Sequence, residues 1–385
     1  MPSLVEPLGI ARDLAVLAER YRGEGERLRR LPPALADAFL SHDIYRLLLP
    51  SDLGGAGIGP LDYLDMVEQV ARVDGSIAWN LTIGAGSGLF AGYLPVAAAR
   101  PMFAVPDCCI AGALAPIGRA VAVRGGFRVS GRWGWASGVD QARWMVMGFT
   151  LTGEAGPELD ADGRPMTWQA LASREAFHVL DTWYVGGLRG TGSTDYEVTD
   201  LFVPHDASFR IFVDAPRHPA PIFRLPGAFL AAAIVMVPLG VAQGCLDGLK
   251  RLASGKRVLN GRSGLRDQAF AQYASAKAEA LVESGAAYVR QSMVAIWQAV
   301  QDGGPVDLDA RARCRRACVH AAEASAEAVD LCCRAAGGHS LFEAEPFERA
   351  LRDVRAALGH MSLQRGTMED AGRAAFGLAP LSPIF

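Results

Sequence analysis

Residues 131–148, GRWGWASGVDQARWMVMG, decide the reading of this chain. Trp133 and Trp135 alternate around Gly134, as residues on one face of a strand do. Ser137-Gly138 then reads as a turn, where a hydroxyl and backbone N–H groups can face a ligand. An apolar, strand-like run follows. A flat aromatic wall beside a polar hook suits a large planar cofactor. A strand end with a buried tryptophan pair accounts for the same residues.

Working outward, residues 104–217 have the texture of a compact β domain. Segments 120–124 and 127–129 flank Gly125-Gly126, a hairpin signal. Segments 144–151, 177–180 and 196–202 are further short strands rich in β-branched and aromatic residues. Before them, residues 1–103 read as a helical domain. Leu14, Leu17, Tyr21 and Leu28 keep helical spacing, and Leu35, Phe39 and Leu40 continue it. Pro32 and Pro33 sit at a helix start. Residues 54–60 form a glycine-rich break, and Asp74-Gly75-Ser76 caps the helix that runs through Trp79. After a proline-rich linker at 218–226, residues 218–385 form a third domain, an alanine-rich helical bundle broken at Gly303-Gly304 and Gly337-Gly338. The expected class is α+β: an N-terminal helical domain, a central β-barrel or sandwich, and a C-terminal four-helix bundle.

Composition sets the bounds. The 385 residues are half hydrophobic and about a fifth charged, which fits a globular protein with a large core. A formal net charge of −3 argues against nucleic acid or an anionic membrane surface as partner. The uncharged run 228–245 has marginal length for a membrane span. Its small residues, Pro238 and Gln243 favour a helix buried inside a bundle instead. Seven cysteines lack the spacing of a zinc site, so no metal is expected. Reduced thiols and an N-terminus without an apolar leader point to a cytoplasmic protein.

Four segments, in this order, resemble the acyl-CoA dehydrogenase superfamily. They are Leu49-Pro50-Ser51-Asp52-Leu53-Gly54-Gly55, the Trp135-Ala136-Ser137-Gly138 turn, Gly187-Leu188-Arg189-Gly190-Thr191-Gly192-Ser193 with Val203-Pro204 beyond it, and Gly337-Gly338 followed by Arg349, Arg352 and Asp353. The Trp-x-Ser-Gly form and Asp181-Thr182-Trp183 look most like the branch that hydroxylates substrates with reduced flavin and oxygen. The resemblance covers nearly the whole chain, and the order of helical, β and helical parts agrees with it.

The resemblance implies a flavin, FMN or FAD, held without a Rossmann glycine motif. Trp135 is expected to wall the ring. Ser137, Arg189, Thr191 and Ser193 are expected to serve its edge. Arg257 and Arg334, with Gly337 and Gly338, are expected to meet its phosphates across a subunit interface, with Arg262 a further candidate. Arg334 stands where the family often places a glutamine. Trp79, Asn80 and Phe90 are the expected substrate lining.

Two enzyme classes share the fold. The dehydrogenases carry a proton-abstracting glutamate shortly after the Arg-Asp pair. Here that region reads Val354-Arg355-Ala356-Ala357-Leu358-Gly359-His360-Met361, with no carboxylate. The hydroxylase branch has a histidine there, which assigns catalysis to His360, with Ser137 beside the flavin. The branch's other histidines are replaced by Trp79-Asn80 in the first domain and by Asp140-Gln141 after the Ser-Gly turn. The function expected is the oxygenase component of a two-component flavin monooxygenase. It would take reduced flavin from a separate NAD(P)H-dependent reductase and use O2 to hydroxylate or otherwise oxygenate, at carbon, nitrogen or sulfur, a small organic substrate for which the aromatic lining permits an aromatic or polyketide-like compound, and it would assemble as a homotetramer. An acyl-CoA or acyl-carrier dehydrogenase using FAD, and a non-catalytic paralogue acting as a binding subunit, stay open as alternatives.

Overall fold

The structure is a computed structural model that describes residues 6–255, 264–382 and 385. Five helices come first: α1 (Pro7–Leu28), α2 (Pro33–Ser41), α3 (Pro60–Ala71), α4 (Gly75–Gly86) and α5 (Val96–Phe103). Pro7, Pro33 and Pro60 each stand in a first turn, where the missing N–H leaves no bond unmade. The Asp74 carboxylate caps α4 by accepting the Ser76 and Ile77 N–H groups at 2.9 and 3.1 Å. Nearly every residue of α4 is buried, so this helix carries Trp79 and Asn80 into the interior.

Eight strands follow: β1 (Ile110–Val123), β2 (Gly126–Ala136), β3 (Trp144–Gly153), β4 (Gly156–Pro157), β5 (Thr167–Ser173), β6 (His178–Leu180), β7 (Thr194–Pro204) and β8 (Ser208–Phe209). They form one sheet in the order β6-β7-β2-β1-β3-β5-β8, with β4 paired to β3. Among the described residues, only β1 and β3 run parallel; the other strand pairs are antiparallel. The expected hairpin closes with Val123 opposite Gly126, and Gly125 takes the left-handed conformation (φ +86°) that a tight turn needs. The sheet curves about its own core of Phe127, Trp133, Met145, Met147, Phe149 and Tyr196.

The sheet also corrects the reading of its tryptophans. Trp133 and Trp135 do not share a face. Trp133 is fully buried, stacks on Tyr196 with centroids 5.3 Å apart and donates its Nε1–H to the Gly148 carbonyl at 2.7 Å. Trp135 has φ +63° and is 71% exposed. The pairing of β2 with β7 slips between Trp133 and Ala136, and this irregularity turns the second indole outward.

The C-terminal helices are α6 (Ala228–Gly255), α7 (Ala269–Gln301), α8 (Leu308–Ala336), α9 (Phe347–Leu358) and α10 (Arg365–Ala375). The apolar run is the first part of α6. By length and composition α6 could cross a membrane, but 83% of its apolar window is buried within the chain. Gly240 and Gly244 let it cross α3: a Cβ would lie 2.4 Å from the Glu68 carbonyl oxygen at the first and 2.0 Å from that of Arg72 at the second. The first five helices and the bundle share one apolar core, separate from the core of the sheet. Fully covered members of α6 such as Met236, Val237 and Leu239 each contribute about 1.5–3 kcal/mol of burial. The site lies where α4, the end of β2 and the turn after α9 converge.

Candidate active site

Four distant segments supply this junction. Trp79 comes from α4, Ser137 from the turn after β2, Thr191 and Ser193 from the loop before β7, and His360 from the turn after α9. The Trp79 indole donates its Nε1–H to Ser137 Oγ at 3.0 Å. Ser137 Oγ lies 2.7 Å from Ser193 Oγ, which lies 2.6 Å from Thr191 Oγ1. The Thr191 hydroxyl donates to the Leu188 carbonyl at 2.8 Å. All three hydroxyl residues are buried. The edge of the His360 ring meets Trp79 at 5.8 Å between centroids.

His360 caps the short turn Met361–Leu363, with its Nδ1 accepting the Ser362 N–H at 3.2 Å. That bond assigns the proton of the neutral ring to Nε2. Burial, and then the charge of Arg315 on α8, pushes the imidazole down to about 4. The ring is therefore neutral at pH 7 and offers an N–H, so it is poised to donate a hydrogen bond rather than to take up a proton.

A network of buried charges holds the segments together. Asp353 on α9 is 2% exposed and accepts the Leu188 N–H at 2.6 Å, so it anchors the loop that carries Thr191. Arg349, one turn before it, reaches Asp353 at 3.4 Å and Asp74, the cap of α4, at 2.7 Å. Burial raises the Asp353 carboxyl to about 6, against the pull of Arg349 and the Leu188 N–H. The Arg-Asp pair in the sequence is thus an interior clamp between α4, α9 and the loop, not a surface ion pair.

Beside the hydroxyls lies a groove of about 510 Å³, lined by Arg132, Trp135, Thr182, Trp183, Ser193 and Asp195, among others. Trp183 donates its Nε1–H to the Arg189 carbonyl at 3.0 Å. Its neighbours Asp181 and Tyr184 hold Arg29, the residue just past the end of α1, by an ion pair at 2.8 Å and by stacking at 4.0 Å. Sequence reasoning quoted Trp183 without giving it a role; its signal was the tryptophan in Asp181-Thr182-Trp183. Asp353 was quoted likewise, in the segment with Arg349 and Arg352, without a role; Arg315 had no signal, because only folding brings it to the site.

These residues fit a flavin. Asn80 Nδ2 donates to the Ser76 and Gly190 carbonyls at 3.0 and 3.1 Å, which leaves its Oδ1 buried without a partner. Arg189 Nε is likewise buried without one. One unmet acceptor and one unmet donor beside an aromatic groove match the mixed edge of an isoalloxazine. At Gly138 (φ +74°), a Cβ would stand 3.2 Å from Asn80 Oδ1, so a larger residue there would crowd that oxygen.

Of the other expected residues, those described have other partners. Phe90 is buried against Phe209, with ring centroids 5.4 Å apart. Arg334 is exposed, 3.8 Å from Asp330, and Gly337 and Gly338 follow it, also exposed. Arg315, beside His360, lies on the same helix, and at 1.5 Å per residue Arg334 is about 28 Å further along it. One chain therefore does not bring Arg334 to its own His360. Arg257 and Arg262 lie outside the described residues. No dehydrogenase-type carboxylate stands beside His360 among the described residues: Glu369 is exposed and paired with Arg365 at 2.8 Å, and Asp370 accepts the Leu381 and Ser382 N–H groups.

Comparison with known proteins identifies the family of the chain. The model of the acyl-CoA dehydrogenase C-terminal domain matches residues 232–365. The chain is 31% identical over 361 residues to indole-3-acetate monooxygenase of Pseudomonas putida, covering 93% of this chain and 90% of that protein. It is also 31% identical over 359 residues to the oxygenase subunit HsaA, a flavin-dependent monooxygenase of Rhodococcus jostii, covering 90% and 91%. The crystal structure of 3-HSA hydroxylase from Rhodococcus sp. RHA1 superposes with a TM-score of 0.89 at 27% identity, over 99% of both chains.

Proposed function

Because this chain belongs to the oxygenase subunits of the flavin-dependent monooxygenases, built on the acyl-CoA dehydrogenase fold, we propose that Trp79, Ser137 and His360 form the centre at which it oxygenates a small aromatic substrate. The enzyme is an oxidoreductase that works with reduced flavin and O2. Bound reduced flavin supplies the electrons that activate dioxygen. A separate flavin reductase supplies the flavin, as befits an oxygenase component.

The observation that carries the assignment is the contact of Trp79 with both partners: its N–H on Ser137 Oγ at 3.0 Å and its ring against His360 at 5.8 Å. It joins the cofactor-side hydroxyls to the imidazole. Trp135 and Trp183 offer flat faces to the ring system. Asn80 Oδ1 accepts an N–H, and Arg189 Nε donates to an oxygen or nitrogen at its edge. His360 donates its Nε2–H to the oxygen of a phenol or a comparable polar group, which stabilises negative charge there without moving a proton onto the ring. The aromatic wall of Trp79 and the uncharged donor favour a phenolic or indolic substrate over an acyl thioester.

Arg334, Gly337 and Gly338 serve the cofactor of a neighbouring subunit in this reading, since they lie too far from their own His360. That requires an oligomer, for which we propose a tetramer acting in the cytoplasm and away from membranes. The test supplies a flavin reductase, NADH, FMN or FAD, and a panel of phenols and indoles under ¹⁸O₂. One labelled oxygen atom in the product is expected. NADH consumption with only hydrogen peroxide formed across the panel refutes the aromatic assignment.

A further inference from the structure

We infer that Arg29, just past the end of α1, is a positioning residue for the groove: it fixes Trp183 as a wall for the flavin before the flavin binds. The inference rests on the flavin reading above.

Residues 181–188 belong to no helix or strand, yet Thr182, Trp183 and Val185 line the groove. A segment without a ladder of its own is placed by the partners its backbone and flanks find. Arg29 grips the chain on both sides of Trp183 and at Trp183 itself. Its guanidinium donates to both carboxylate oxygens of Asp181, at 2.8 and 3.3 Å. It donates to the Trp183 carbonyl at 3.2 Å. It stacks on the Tyr184 ring at 4.0 Å. The Tyr184 hydroxyl closes the circuit by donating to Asp181 Oδ2 at 2.6 Å. The guanidinium also holds the Asp181 carboxyl below the usual carboxylate range. Further along the segment, Arg352 of α9 donates to the Gly186 carbonyl at 2.5 Å.

The backbone of Arg29 is an independent sign. It has φ +55°, the left-handed conformation that glycine takes at helix ends without strain. A residue with a Cβ is strained there. The partners of the guanidinium all lie in the 181–184 segment, so the side chain that causes this strain serves the groove rather than α1. A planar fork that also stacks is an arginine property that lysine lacks. Exposed bonds of this kind add little to global stability. Their effect is preorganisation: a wall already in place is not ordered at the expense of binding.

The test measures dissociation constants and release rates of anaerobically reduced FMN and riboflavin, together with melting temperatures. The proteins are wild type, Arg29→Gly, Arg29→Lys, Trp183→Ala and the double variant Arg29→Gly/Trp183→Ala. Arg29→Gly is expected to keep or raise the melting temperature while weakening both flavins about tenfold, through faster release. Arg29→Lys keeps the charge without the fork or the stack and is expected to weaken binding to a similar extent. In the Trp183→Ala background, Arg29→Gly should add less than about a twofold loss, because the arginine acts through that indole. Unchanged binding in Arg29→Gly overturns the inference. So does a loss seen with FMN and absent with riboflavin, or restored by Arg29→Lys, since either assigns Arg29 to the phosphate. A full tenfold loss on top of Trp183→Ala, or a melting temperature that falls with affinity, overturns it as well. A wild type that binds neither flavin overturns the flavin reading itself.

Discussion

Lowering the pH is expected to destabilise this protein through His360 by an amount that the structure sets. In the unfolded chain the imidazole titrates at its ordinary 6.5; in the fold, burial and Arg315 hold it at about 4. Between those values the unfolded chain binds the extra proton and the native state does not. The contribution is therefore fully favourable above pH 6.5 and is lost progressively as the pH falls toward 4. Two and a half pH units at about 1.4 kcal/mol each set a ceiling of about 3.5 kcal/mol, of which about 2.5–3 is lost by pH 4.5. The comparison is with His360→Asn, which keeps an acceptor for the Ser362 N–H, suits a cap position and does not titrate. Urea unfolding of both proteins at pH 7.5, 5.5 and 4.5 should show wild type losing up to about 3 kcal/mol more than the variant. The same neutral ring predicts coupled turnover with no break near pH 6.5 that His360→Asn abolishes. Parallel pH dependence of the two unfolding midpoints, or a ring that titrates between 6 and 7 in the native protein, refutes the reasoning and restores an acid–base role for His360.

Two further substitutions probe the frame of the site. Trp135→Gly removes a bulky residue from a left-handed conformation (φ +63°) while stripping the exposed wall of the groove. Relief of about 1 kcal/mol of strain should leave the melting temperature unchanged or slightly raised, while flavin binding, followed by fluorescence, weakens at least about tenfold if the indole stacks on the ring. Asp353→Ala leaves the Leu188 N–H unmet and takes one carboxylate from Arg349. Loss of about 3–5 kcal/mol of stability is expected in calorimetry, and a change within 1 kcal/mol refutes the clamp between α4, α9 and the loop.

Much of the fold was legible because its signals are local. Gly125-Gly126 sets a turn wherever it stands, prolines open helices by their own geometry, and Asp74 caps α4 with its own side chain. The uncharged run in α6 announced a buried helix before its neighbours were known. The site was legible only in part. Ser137, Thr191 and Ser193 were identified, and the fold brought them together with Trp79 and His360. Trp135 was placed on the wrong face, because alternation along a strand holds only while the pairing register holds, and here it slips against β7. The interior place of Asp353 and Arg349 was missed for a related reason: an Arg-Asp pair looks the same in sequence on a surface or in a core.

The amino-acid order alone determined the helical, β and helical succession, the turns that divide it, and the residue types needed to hold a flavin without a nucleotide-binding glycine motif. Tertiary structure decided the chemical state of those residues. His360 became a neutral donor because α8 brings Arg315 beside it and burial strips away water, and a bond to Ser362 chooses its proton-bearing nitrogen. Ser137 accepts the Trp79 N–H and shares a hydrogen bond with Ser193 because residues more than fifty positions away, on two other segments, are brought against it. Protonation and hydrogen-bond direction depend on which groups lie within a few ångströms, and in this chain those neighbours are remote in sequence.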